Sequence, residues 1–183
     1  YPNPVYRMPT ALRLAYNKAA IAIGVAKGSL EVFADIAQNK IPMLTSASLA
    51  NRGIAQYRMG VAEATFRASR AWLMETMTPV EDELTGNADL PGAKTTQDAR
   101  LACTHAANEC MKVVDLLHNT AGTTGMRTYS PLERKLRDSH GAATHRWVAH
   151  PLYEDLGKIL LGIEAGPEFA GGAGVPIGPP APK

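Results

Sequence analysis

The chain has 183 residues, 45% hydrophobic and 20% charged, a balance that fits one globular domain with a core and excludes a disordered or fibrous chain. A net charge of +2 with interspersed signs, and only 6% aromatic residues, provide neither the basic field nor the stacking platform that nucleic acid needs. The longest apolar stretch, residues 19–26, is broken by Gly24 and flanked by Lys18 and Lys27, so no membrane span or anchor is expected.

Apolar residues at steps of three and four predict a first helix over 10–38, with Ala19, Ile23, Ala26, Leu30, Phe33 and Ala37 facing a core and Pro42 beyond its end. Ser46 or Ser48 can cap a second helix, whose stripe is Ile54, Tyr57, Val61, Ala64, Ala68 and Trp72 and which should end before Pro79. Residues 79–94 combine Gly86, Asn87, Pro91 and Gly92 with Glu81, Asp82 and Glu83, which reads as an exposed loop. A third helix opens at Thr95 or Thr96, with Asp98 in its first turn, and carries the stripe Ala99, Cys103, Ala106, Cys110, Val113 and Leu117 to a stop at Gly122. These side chains are mostly small, so a neighbouring helix can approach closely.

Ser130, Pro131 and Glu133 have the spacing of a capping box, and they open a fourth helix with Leu132, Leu136, Ala143 and Trp147 on its apolar stripe. After Pro151, the residues Leu152, Leu156, Ile159 and Ile163 predict a short fifth helix. No pair of alternating runs flanks a hairpin turn, so no strand is expected. The fold class is therefore all-α, a four-helix bundle with a short fifth helix over residues 1–165, followed by a flexible Gly/Pro-rich tail over 166–183. Cys103 and Cys110, seven residues apart, lie on one helical face but about 10 Å apart in rise, too far for a disulfide. They read as buried thiols of a protein kept in a reducing cytoplasm.

His140, His145 and His150 cluster, but steps of five scatter them around a helix, so no metal site is expected. His145 titrates near neutrality and could do acid–base work, or it could be an ordinary solvated side chain. Residues 119–125, Asn-Thr-Ala-Gly-Thr-Thr-Gly, could present amides to an anion or could simply terminate a helix. Arg52, Arg58, Arg67 and Arg70 could meet a phosphate or a partner, although such charges commonly form a solvated face.

Taken together, the segments Pro4-Val5-Tyr6-Arg7-Met8-Pro9, Ala22-Ile23-Gly24-Val25-Ala26, and Ser130 through Asp138 to His145 resemble, in order and separation, the C-terminal domain of the acyl-CoA dehydrogenase superfamily. The Tyr-Arg-x-Pro opening and the Arg-Asp-x-His…His pattern are most similar to its two-component flavin-dependent monooxygenases, which act on hydroxyphenylacetate, dibenzothiophene or seco-steroid phenols. The resemblance implies an enzyme that hydroxylates a small aromatic or heteroatom-containing molecule with O2. Its cofactor would be FAD or FMN, reduced by a separate reductase component. It further implies a homo-oligomer, a tetramer, and N-terminal and middle β domains that would lie outside this chain, which opens at Tyr1.

The resemblance also assigns residues. The slots where dehydrogenases of this fold place their catalytic glutamate hold Arg146 and Leu14, and neither can abstract a proton. His145 falls where the monooxygenases place a histidine beside the flavin edge, as hydrogen-bond donor or general base. Asn119, Gly122 and Thr123 fall where family members contact the cofactor diphosphate across a subunit interface, with Thr123 in place of the second of two usual glycines. Lys40 falls where a cofactor-binding arginine is usual, supplying charge without a bidentate fork. Two further readings stay open: an acyl-CoA-dehydrogenase-like oxidoreductase with its base elsewhere, and a non-catalytic helical oligomerisation domain.

Overall fold

A computed structural model describes residues 3–86 and 88–165. The tail expected over 166–183 lies outside the described residues. Five α-helices follow one another, α1 (Thr10–Asn39), α2 (Gly53–Thr85), α3 (Ala93–Ala121), α4 (Pro131–Ala143) and α5 (Leu152–Leu160), with no strand among the described residues. Helix α3 is the hub, packing against α1, α2, α4 and α5, while α1 also meets α2 and α4.

The α3 stripe read from the sequence is buried along its whole length, with Ala99, Cys103, Ala106, Cys110 and Leu117 all at 0% exposure. Burial pushes both thiols up, to about 12, so Cys103 and Cys110 are protonated and behave as small hydrophobes. Ala102 and Ala107 widen the band of small residues and let α1 and α2 approach the α3 backbone. Helix α1 answers with Ala15, Ala19, Ala22 and Ala26, then broadens to Leu30 and Phe33.

Helix α2 departs from the sequence reading in three ways. Its buried face is Ala55, Ala62, Ser69, Leu73, Met77, Val80 and Leu84, turned by one residue, roughly 100°, from the expected stripe. Ile54 and Tyr57 are 51% and 69% exposed, Ala64 and Ala68 are also exposed, and Trp72 is half-buried. Small Ala55, Ala62 and Ser69 fill the first half of the buried face, and the larger Leu73, Met77, Val80 and Leu84 fill its second half.

Second, α2 does not end before Pro79 but carries it inside and runs to Thr85, so the expected 79–94 loop shrinks to the short α2–α3 connection. A proline inside a helix costs about 3 kcal/mol. Burying Val80 and Leu84 beyond it returns about 1.5–3 kcal/mol each, and continuation wins. Third, Ser48 starts a 3-10 turn (Leu49–Asn51) instead of capping α2, whose N-cap position is Arg52.

The α2–α3 corner is fastened by side chains. Glu83 accepts hydrogen bonds from the Gly92 amide (2.6 Å) and the Thr95 hydroxyl (2.6 Å), serving the first turn of α3, which begins at Ala93 instead of Thr95. Arg7 donates to the carbonyls of Leu84 and Ala88, closing the C-terminal end of α2 from the chain's other end. The Thr95 and Gly92 bonds hold the Glu83 carboxyl below its ordinary 4.5. Its stabilisation is therefore present above pH 4.5 and is lost as pH falls through the lower, folded value. Thermal melts of Glu83→Gln should accordingly lie below those of the parent near neutral pH, with the gap closing as pH falls below 4.5.

Helix α4 keeps Pro131 at its first position, but the capping box does not form. The Ser130 hydroxyl makes no cap bond, and Glu133 instead forks onto Arg137 at 2.8 and 3.0 Å. Helix α4 also stops at Ala143, so His145 and Trp147 lie not on a helix but in a run of turns over residues 144–151. The stop has a local cause: the Thr144 hydroxyl bonds the His140 carbonyl (2.7 Å), and i to i+3 bonds carry the chain from Ala142 to His145 and on to Val148. The turns point Val148 into the core at 0% exposure. Helix α5 then lays Leu152 and Leu156 beside Leu101 of α3.

Candidate functional site

Two groups of residues singled out in the sequence occupy opposite ends of α1. At its C-terminal end, Lys40 donates from Nζ to the Ala121 carbonyl (2.6 Å), and Arg58 of α2 reaches the Thr120 hydroxyl (3.4 Å). Lys40 thus stands at the C-terminus of α3, where Asn119, Gly122 and Thr123 form the turn, so these four residues are brought together. A cation there offsets the negative end of the helix dipole.

The turn is less free to hold an anion than its composition suggests. The Gly122 amide is committed to the Asn119 carbonyl, and the Gly125 amide to the Gly122 carbonyl (2.9 Å). Gly122 has φ +59 and ψ −143, a conformation essentially confined to glycine, so it serves the turn itself. Side-chain charge from Lys40 and Arg58, rather than loop amides, is what this corner offers a diphosphate. A cleft of about 420 Å³ opens beside it and is lined by Glu31, Val32, Asp35, Ile36, Thr124 and Tyr129. Its two carboxylates oppose an anion, so a phosphate is better placed against Lys40 and Arg58 than in the cleft.

His145 sits at the other end, about 33 Å of helix away as measured from Lys18 to Lys40 along α1. It is half-buried. Burial lowers its pKa below the ordinary 6.5, and the charge of Lys18 pushes in the same direction, so the ring is neutral at neutral pH. The Trp147 amide donates to Nδ1 at 3.4 Å. An accepting Nδ1 carries no proton, which leaves the proton on Nε2. That tautomer presents Nε2–H as a donor.

The turn around His145 is built from residues the sequence reading passed over. Asn108 of α3, 1% exposed, donates to the Val148 carbonyl at 2.9 Å. The buried Arg100 guanidinium lies 5.5 Å from the centre of the Trp147 ring, and Arg146 lies 5.0 Å from the same ring. A signal was available, because Arg100, Thr104 and Asn108 recur at steps of four among Ala, Cys and Val, which is unusual on a helix otherwise buried. Arg146 is an exposed cation and Leu14 is half-buried on α1, so neither dehydrogenase slot holds a carboxylate.

The other histidines do not join His145. His140 pairs with Asp115 at 2.8 Å, and His150 leans on Tyr153 with ring centres 5.7 Å apart. Among the described residues no group of three or more His, Cys, Asp or Glu could hold a metal, and no helix is long and apolar enough to cross a membrane.

Residues 16–150 match the family model described as acyl-CoA dehydrogenase, C-terminal domain. Indole-3-acetate monooxygenase of Acinetobacter baumannii is 30% identical over 91% of this chain and 43% of that protein. The chain thus spans less than half the length of the curated relatives it matches. Among solved structures, 3-HSA hydroxylase from Rhodococcus sp. superposes with a TM-score of 0.79 at 20% identity, over 91% of this chain and 43% of that one. XiaF from Streptomyces sp., solved in complex with FADH2 and glycerol, gives 0.78 at 17% identity, over 89% and 41%. At such identities the superpositions establish the fold alone.

Proposed function

Because the chain belongs to the family of acyl-CoA dehydrogenase C-terminal domains, we propose that it is the helical domain, over residues 1–165, of a flavin-dependent monooxygenase that hydroxylates a small aromatic or heteroatom-containing molecule. The observation that carries the choice of reaction is the turn after α4. A catalytic carboxylate would stand there in a dehydrogenase, and here Arg146 occupies that slot next to a neutral histidine held as an Nε2–H donor. The name of the Acinetobacter relative supports the same choice.

Reduced flavin, FAD in our reading and delivered by a separate reductase, supplies the two electrons with which O2 is divided between substrate and water. The chain's own residues bind and orient. His145 donates from Nε2 to an oxygen at the reacting centre, a directed dipole where charge develops. Lys18 places positive charge near that ring, which favours a substrate bearing a carboxylate or phenolate.

Lys40, Arg58 and the Asn119–Thr123 turn meet the flavin diphosphate, and they do so for a different copy of the enzyme. About 33 Å separates that corner from His145, so one chain's two groups serve two active sites of a homo-oligomer, a tetramer in our proposal. The exposed α2 row of Ile54, Tyr57 and Val61 supports such an assembly. A reducing cytoplasm fits its two protonated thiols. The test is oxygen-isotope incorporation by the full-length protein, given reduced FAD, labelled O2 and aromatic acids or phenols. Label in the product is expected. Oxidation of an acyl thioester in its place, with no labelled product, would overturn the reading.

A further inference from the structure

The buried face of α3 that meets the 144–151 turn carries three polar side chains four residues apart, at 1%, 0% and 1% exposure for Arg100, Thr104 and Asn108. Buried polar groups cost stability unless bonded, and apolar residues would fill the same space without that cost. Two of their bonds stay on α3, and one leaves it for the turn. The Thr104 hydroxyl bonds the Arg100 carbonyl (3.0 Å), and the Asn108 amide nitrogen spends one N–H on the Thr104 carbonyl (2.8 Å) and the other on the Val148 carbonyl (2.9 Å). Arg100 lies against the face of Trp147.

Val148 is the pivot of the turn. Its carbonyl is held by Asn108, its amide donates to the His145 carbonyl (2.9 Å), and its side chain is in the core. The preceding residue, Trp147, donates its amide to His145 Nδ1. A carbonyl in an irregular segment has no ladder partner of its own, so a side chain must supply one or the segment will open to water.

We propose that Asn108 is a positioning residue for His145: by gripping the Val148 carbonyl it fixes the turn in which the Trp147 amide meets Nδ1 and the proton stays on Nε2. The inference rests on the monooxygenase reading only in taking His145 as the group that meets the reacting oxygen. Asn108 itself touches neither substrate nor cofactor and acts through the turn.

Asn108→Thr isolates the claim, because its hydroxyl can still bond the Thr104 carbonyl one turn back but cannot reach Val148. Two readouts follow. In the 183-residue chain, nuclear magnetic resonance titration should show the His145 pKa rising toward 6.5 as the ring is solvated, while the remote core substitution Leu73→Ala leaves it unchanged. In the full-length protein, Asn108→Thr should lower hydroxylated product per O2 consumed by roughly tenfold, as misplacement of a reacting group does. It should have no added effect in a His145→Ala background, because it acts through that ring.

An unchanged His145 titration in folded Asn108→Thr overturns the proposal, as does a full additional loss in the double variant. If Asn108→Thr does not fold, Asn108→Ser, which retains the Thr104 bond in a smaller side chain, is read in the same way. Should the full-length protein fail to oxygenate any substrate, the monooxygenase reading fails, while the titration still decides the role of Asn108.

Discussion

His145→Ala in the full-length protein is expected to cut hydroxylated product per O2 consumed by about 100-fold, the usual cost of removing one directed donor from a reacting oxygen. Flavin binding should persist, since the diphosphate contacts proposed for this chain lie about 33 Å away along α1. His145→Gln separates donor from base: an amide N–H can replace Nε2–H but cannot take a proton at pH 7. Recovery by Gln of a substantial part of the lost product supports the donor role. A Gln variant as poor as Ala would return the base role to His145.

Acidification gives the same contrast without mutation. The folded His145 pKa lies below 6.5, so the neutral ring that accepts from the Trp147 amide persists at neutral pH and disappears as pH falls through that lower value. Protonation puts a hydrogen on Nδ1 and breaks the contact. Nε2 keeps its hydrogen in the imidazolium, so a donor should hold product yield on the acid side of that lower value, whereas a general base would lose it there. Stability falls on the acid side, because below 6.5 the unfolded chain binds a proton the fold resists.

Much of the fold is legible because α1 and α3 each carry one apolar face, and a period of three and four then has one solution. Ala19, Ala26, Leu30 and Phe33 on α1, and Ala99 to Leu117 on α3, all lie buried as their spacing requires. Helix α2 has two candidate apolar faces, one residue apart in register. The stripe through Ile54, Tyr57 and Val61 ends at Trp72, whereas the buried register continues through Leu73, Met77, Val80 and Leu84 past Pro79, where a stop was expected. Pro79 was read as a stop because the local cost of a proline is visible in the sequence, whereas the burial of Val80 and Leu84 that outweighs it is not. The Ser130 box likewise satisfied a local rule, yet Glu133 went to Arg137.

The site was legible to a smaller degree. Nothing in the spacing of His140, His145 and His150 distinguishes the second, and its selection came from the resemblance. Its chemistry could not be read at all until the chain left the helix, because an imidazole on α4 would not have the Trp147 amide at Nδ1. The grouping of Lys40 with Asn119, Gly122 and Thr123 holds in space, but the loop amides thought to cradle an anion are partly consumed by the turn. Arg100, Thr104 and Asn108 are each common on a helix surface, and their partners Val148 and Trp147 mark the row.

Leu73→Ala and Tyr57→Ala, one from each face of α2, test which face the fold depends on. Leu73 is 2% exposed in the core, and its truncation should cost about 2–5 kcal/mol, lowering the melting temperature by roughly 10 °C in a chain of this size. Tyr57 is 69% exposed, and the same truncation should change stability by no more than about 0.5 kcal/mol. Equal losses in the two variants would restore the stripe that periodicity alone selects. Tyr57 should instead matter to assembly: sedimentation of full-length Tyr57→Ala should show a shift toward smaller species, with no change in the melting of the 183-residue chain. A face that is large, apolar and unused by its own fold has its energetic consequence in what it meets, and the two measurements together separate folding from association.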